Sequence, residues 1–312
     1  MSEVKTKGIH HISAIVGHPQ ENVDFYEGIL GLRLVKKTVN FDDPKTYHLY
    51  FGTDAGTPGS IITFFPWPGA RQGRIGTGQV GVTGYAVPVG AYDFWKERLE
   101  SFDIEVHEEE RFGERYLTFE DVHGLKLEIV EREKGDSNPF QHEAIPLEYA
   151  IKGFAGAVLY SSDIEATDKV LTEELGLAKR AEDETYFRYE AEGEMGNIVD
   201  IKKEVNARGL MGAGTVHHIA WRAQDDAEQM MFSNQLRADG YHVTDIKDRN
   251  YFNAIYFREH GEILFEIATD SPGFAHDEPY ETMGESLMLP AQYEPHRAQI
   301  EANLIPIHTS KK

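Results

Sequence analysis

GIHHISAIVG (8–17) and TVHHIAWRA (215–223) are the stretches that decide how this chain is read. Each sets a His-His-Ile triplet into an apolar, β-branched run of the kind that forms strands. The residues after the first triplet are patterned too. PQENVDFYEGILG carries Val23, Tyr26, Ile29 and Leu30 at roughly helical spacing and ends on Gly31, a helix stop. YHLYFGT (47–53) and SIITFFP (60–66) then read as strands.

The same order returns three times. VGVTGYAVP (80–88) leads to the helix AYDFWKERLESF and the strands RYLTFED and GLKLEIVE. FAGAVLYSS (154–162) leads to IEATDKVLTEELG, TYFRYEAE and NIVDIKKE. TVHHIAWRA leads to DAEQMMFSNQLRADG, NAIYFREH and ILFEIATD. Each unit is about sixty residues of strand, helix and two or three strands, a repeat of period and content that marks duplication. Gly- and Pro-rich or polar segments separate the units at 66–79, 133–146 and 206–215. The expected division is an N-terminal half, 1–140, with units over about 8–68 and 78–133, and a C-terminal half, 147–312, with units over about 150–205 and 213–270 and a tail that wraps the body.

Composition narrows the function. The 312 residues hold 31 Lys and Arg against 53 Asp and Glu, a net charge of -22. That field repels nucleic acid and anionic lipid. No secretory h-region and no long uncharged apolar run is present, so the chain reads as soluble and cytoplasmic. There is no cysteine, which excludes disulfides, a thiolate nucleophile and a thiolate metal site. Any metal falls to His, Asp or Glu. Homo-oligomerisation is left open.

Four βαβββ units resemble the vicinal-oxygen-chelate superfamily. That resemblance implies an α+β fold in which paired modules form two halves around a metal cup. Strand alternation then sorts the histidines. If Ile9, His11 and Ser13 face the cup, His10 and Ile12 face away, and likewise Val216, His218 and Ala220 face it and His217 and Ile219 do not. Superposing the last strands places Glu266, Glu128, Asp200 and Phe64 at one position. The first strands there read His11, about Thr83, about Gly156 and His218. Only the fourth module has both a His and a carboxylate. The expected ligands are His11, His218 and Glu266, the two-His-one-carboxylate facial triad of non-haem Fe(II) oxygenases, which Mn(II) also suits. Glu128 and Asp200 read as structural, and ten further histidines, His48 among them, have no repeat-related place.

Several stretches are similar to the hydroquinone ring-cleaving dioxygenases: GIHHISAIVG, TYHLYFGTDAGTPGSIITFFP, RFGERYLTF, TVHHIAW and DRNYFNAIYFREHGEILFEIATDSPGF. The resemblance implies the same three ligands, a small aromatic diol and O2 as substrates, and catalytic roles for His10, His217, Arg249 and Tyr256. No histidine lies between His142 and His217, so the third module supplies none, and the first and fourth modules must meet. Two alternatives are a glyoxalase-like metal-dependent isomerase or lyase, which generally needs a fourth ligand, and a non-enzymatic small-molecule binder, which needs no metal.

Overall fold

A computed structural model describes residues 4–309. Sixteen strands among the described residues follow the repeat. The first module runs β1 (Ile9–Val16), α1 (Pro19–Val23), β2 (Arg33–Val39), β3 (Tyr47–Gly52) and β4 (Ile61–Pro66). The second is β5 (Gln79–Val87), α2 (Tyr92–Ser101), β6 (His107–Arg111), β7 (Glu114–Glu120) and β8 (Lys126–Glu131). The third is β9 (Gly153–Tyr160), α3 (Ile164–Lys169), β10 (Ala178–Glu182), β11 (Tyr186–Glu190) and β12 (Ile198–Lys202). The fourth is β13 (Thr215–Ala223), α4 (Asp226–Ala238), β14 (Lys247–Asp248), β15 (Phe252–Arg258) and β16 (Leu264–Pro272).

The strands form two curled eight-stranded sheets, ordered β14-β15-β16-β13-β1-β4-β3-β2 and β10-β11-β12-β9-β5-β8-β7-β6. Each sheet takes one module from each sequence half, so the halves 1–140 and 147–312 are not the two sheets. Module four joins module one, and module three joins module two, through the antiparallel pairs β1–β13 and β5–β9. The two glycine-rich connectors make this crossing possible. They lie side by side, bridged at Gln72–Ala213, Arg74–Leu210 and Thr77–Arg208.

Helix α4 shows how the metal-side strands are held. Asp225 caps it, accepting from the Glu228 amide at 2.9 Å, and Arg237 closes its last turn. Phe232 and Leu236 sit one turn apart on its buried face. From that face Gln229 donates to the carbonyls of Asn253 and Ile267, both at 2.8 Å, tying β15 to β16. The tail after β16 covers the other edge of the sheet. Leu287 bridges to Lys37 beside β2, and fully buried Lys36 pairs with Asp277 and Glu278 at 2.6 and 2.9 Å. An open strand edge is thereby closed. Among the described residues no helix is long and apolar enough to cross a membrane.

Candidate metal centre

Simple alternation does not survive at the His-His pairs. Along β1–β13 the pairing passes from Ile9↔Trp221 to His11↔Ala220, leaving His10 as an extra residue, and from Ser13↔His218 to Ala14↔Val216, leaving His217 extra. Each first histidine is a β-bulge, which re-aims side chains locally. Ile9 and Val216 consequently turn into the main core with Ile12, Ile219 and Trp221. His10 stays on the cup side, its ring 5.3 Å from Phe252, and His217 lines the same cavity as His218. The sequence expectation that Ile9 and Val216 face the cup while His10 and His217 face away is corrected by these two bulges.

His11, His218 and Glu266 converge. Their donor atoms lie within 4.8 Å of one another and all three residues are buried. The two Nε2 atoms are 3.3 Å apart, and Glu266 Oε2 is 2.9 Å from His218 Nε2 and 3.4 Å from His11 Nε2. Adjacent vertices of an octahedron with bonds of about 2.1 Å are separated by about 3 Å. Neither Glu266 oxygen has a partner in hydrogen-bond geometry, although the residue is fully buried. A buried, ionised carboxylate without such partners calls for a cation. Burial pushes the Glu266 carboxyl up, but His11 and His218 beside it outweigh that and hold it well below the usual range. Burial keeps His218 below the ordinary imidazole value despite the carboxylate. Two imidazoles and one anionic oxygen cluster fit a divalent metal.

The bulged histidines each orient a ligand. His10 Nδ1 is 2.9 Å from His11 Nδ1, and His217 Nδ1 is 2.8 Å from His218 Nδ1. A ligand imidazole presenting a bare Nε2 must carry its proton on Nδ1, and in both cases the neighbour receives it.

Register also revises the repeat alignment. Ala220 pairs with Glu266, Gly84 with Glu128, Val158 with Asp200, and Ser13 with Thr63. Thr63, not Phe64, therefore holds the carboxylate position of module one, and Val82, not Thr83, matches His11. The fourth place around the metal belongs to a hydroxyl already engaged, 2.7 Å from Ser13 Oγ and 2.9 Å from His48 Nε2.

A cavity of about 160 Å³ opens on the cluster. Phe41, Phe65, Trp67 and Phe252 supply apolar wall. Arg249, in the turn before β15, donates from Nε to the Tyr256 hydroxyl at 3.3 Å and reaches Asp42 at 3.4 Å at the solvent edge. The Tyr256 ring stands edge-on to His218. All seven residues singled out in the sequence thus gather here. Missed were His48 and Tyr50, bonded to each other at 2.8 Å. Their signal was available: they alternate along YHLYF, and Tyr50 pairs with Thr63 as Tyr256 pairs with Glu266.

Comparison with known proteins agrees with this geometry. The profile of the Glyoxalase/Bleomycin resistance protein/Dioxygenase superfamily matches residues 8–129. MhqO of Bacillus subtilis (strain 168), named for a proposed ring-cleaving dioxygenase activity, is 62% identical over 97% of both chains. A chlorohydroquinone/hydroquinone 1,2-dioxygenase of Sphingobium indicum is 35% identical over 93% of both. A Bacillus subtilis crystal structure, also of a proposed dioxygenase, superposes with a TM-score of 0.97 at 60% identity, covering 99% of this chain and 100% of that one. Glyoxalase I from Zea mays, at 14% identity and a TM-score of 0.64 over 85% of this chain and 92% of its own, shares the fold.

Proposed function

The chain belongs to the glyoxalase/bleomycin resistance protein/dioxygenase superfamily, and from that premise we propose that it is an Fe(II)-dependent ring-cleaving dioxygenase opening hydroquinone-type 1,4-dihydroxybenzenes with O2. The observation that carries this reading is the buried cluster of His11, His218 and Glu266, whose fourth place is filled by Thr63. Three protein ligands leave room for substrate and oxygen. The glyoxalase-like alternative wants a fourth ligand where this chain has a hydroxyl.

His11 Nε2, His218 Nε2 and a Glu266 oxygen would hold the iron, with Mn(II) the nearest substitute. When bound, the metal supplies the one-electron chemistry that lets O2 react with an aromatic ring. The protein's part is positional and electrostatic. His10 and His217 keep the ligand imidazoles in the metal-binding tautomer. Phe41, Phe65, Trp67 and Phe252 clasp one ring and exclude water. The Arg249 guanidinium offsets negative charge on a ring oxygen that has lost its proton. Burial, reinforced by Glu266, pushes the Tyr256 hydroxyl far up, so it remains a phenol with a proton to lend. Both atoms of O2 enter the product as one ring C–C bond breaks, and no further reductant is required. Such chemistry suits cytoplasmic breakdown or detoxification of aromatic compounds.

The test is oxygen uptake and ring-opened product from anaerobically reconstituted Fe(II) protein given hydroquinone or catechol. Hydroquinone is the expected substrate. Efficient catechol cleavage without hydroquinone turnover overturns the substrate class, and no uptake with either overturns the dioxygenase reading.

A further inference from the structure

A hydroquinone can give the metal only one oxygen, so its second oxygen has to be met by the wall of the cavity. Several polar groups there already have a partner or a role. Arg249 donates to Tyr256, whose own proton serves the role given above, His217 bonds to His218, and the side-chain carbonyl of Asn40 takes the Asp42 amide. His48 spends both ring nitrogens, Nε2 on Thr63 and Nδ1 on Tyr50. Its ring lies between those of Tyr50 and Phe65, with centroids 4.1 and 4.3 Å away, so it cannot turn toward a ligand.

Tyr50 is different. It is fully buried and lines the cavity. A phenol has one donor and two acceptor sites, and this one uses a single position, on His48. Its place in the sheet is that of Tyr256 on the opposite module. The two tyrosines therefore flank the His11–His218–Glu266 cluster from its two sides.

We propose that Tyr50, held by His48, is a substrate-binding residue that hydrogen-bonds the ring oxygen not bound to the metal. This rests on the para-diol reading above. The chain Tyr50–His48–Thr63–Ser13 runs unbroken at 2.8, 2.9 and 2.7 Å. Because imidazole has two tautomers, the chain can run in either direction. With Nδ1 bare, Tyr50 donates to His48 and accepts from a ring hydroxyl. With Nδ1 protonated, Tyr50 accepts from His48 and donates to a ring oxygen. The same residue thus serves either protonation state of the diol. Burial holds the Tyr50 hydroxyl up and the His48 imidazole down, which keeps both groups neutral.

The test is anaerobic binding to the Fe(II)-loaded protein of hydroquinone and of 4-methylphenol, which lacks the second oxygen. Tyr50→Phe is expected to lower the preference for hydroquinone over 4-methylphenol by about tenfold, the worth of one buried hydrogen bond, and to leave 4-methylphenol affinity unchanged. His48→Phe keeps the ring stack and is expected to lower the same preference by a smaller factor. Equal weakening of both ligands by Tyr50→Phe, or an unchanged preference, overturns the assignment while leaving the dioxygenase reading intact. If the wild type binds neither phenol, the para-diol reading falls with it.

Discussion

The two sheets are copies of one plan with opposite solutions to the same electrostatic problem. Both have the strand order of a doubled βαβββ pair, and both carry bulges at equivalent points: His10 and His217 in one, Gly81 and Ala155 in the other. In the first cup the four key places hold His11, His218, Thr63 and Glu266. In the second they hold Val82, Gly156, Glu128 and Asp200. Two buried carboxylates there face Arg111, 2.6 Å from Glu128 and 3.0 Å from Asp200. Arg188, in the register place of Tyr256, grips Asp200 at 2.8 and 2.9 Å. Guanidinium groups supply the positive charge that the first cup leaves to a metal. The exchange is also steric. A Cβ at Gly156 would sit 1.8 Å from the Ile198 carbonyl oxygen, so no histidine fits opposite the second carboxylate.

That contrast ranks the expected effects of substitution. Replacing His218 or Glu266 with Ala should abolish metal binding and turnover while circular dichroism stays native; retained metal in either variant would dissolve the distinction between the cups. Arg111→Met should do the reverse. It strands two buried carboxylates and should cost about 3–5 kcal/mol in denaturant unfolding, with metal content of the folded protein unchanged. A second bound ion in that variant would mean that the arginine alone had excluded it. His10→Ala or His217→Ala should keep most of the metal and lower turnover by about 10–100-fold, as loss of a partner that orients a ligand does. Metal loss equal to that of His218→Ala would assign the bulged histidines to coordination instead.

The smallest effect concerns pH. Burial, ahead of all other causes, lowers His10, His48 and His217, the last to about 3. In the unfolded chain each takes up a proton near about pH 6.5. Between those values the unfolded state binds more protons, so stability is complete above about pH 6.5 and falls as pH drops below it. Unfolding midpoints of the metal-free protein should show this slope, and His217→Phe should flatten it. The arginine cluster of the second cup contains no imidazole, and its Glu128 carboxyl, raised by burial, acts against this slope.

Much of this was legible in the sequence because it depends on period. The fourfold repeat, the two HHI motifs and the FEI of β16 gave the modules and the three converging residues. Two things were hidden. That modules one and four meet follows from the two HHI motifs, but that modules two and three pair in a second sheet, so that each sheet draws on both halves of the chain, depends on how the glycine-rich connectors pack against each other, which composition does not encode. The bulges insert a single residue into the ladder, and a period of two cannot register them. A separate one-residue slip in aligning the last strands put Phe64 in the place of Thr63, and Tyr50 and His48 went unassigned although their alternation was in view.

Anomalous diffraction at the iron edge from crystals of anaerobically loaded protein bears most directly on the difference between the cups. One peak per chain is expected, within bonding distance of His11 Nε2, His218 Nε2 and a Glu266 oxygen, with nothing between Glu128 and Asp200. A peak in the second cup, or none at the first, would contradict it.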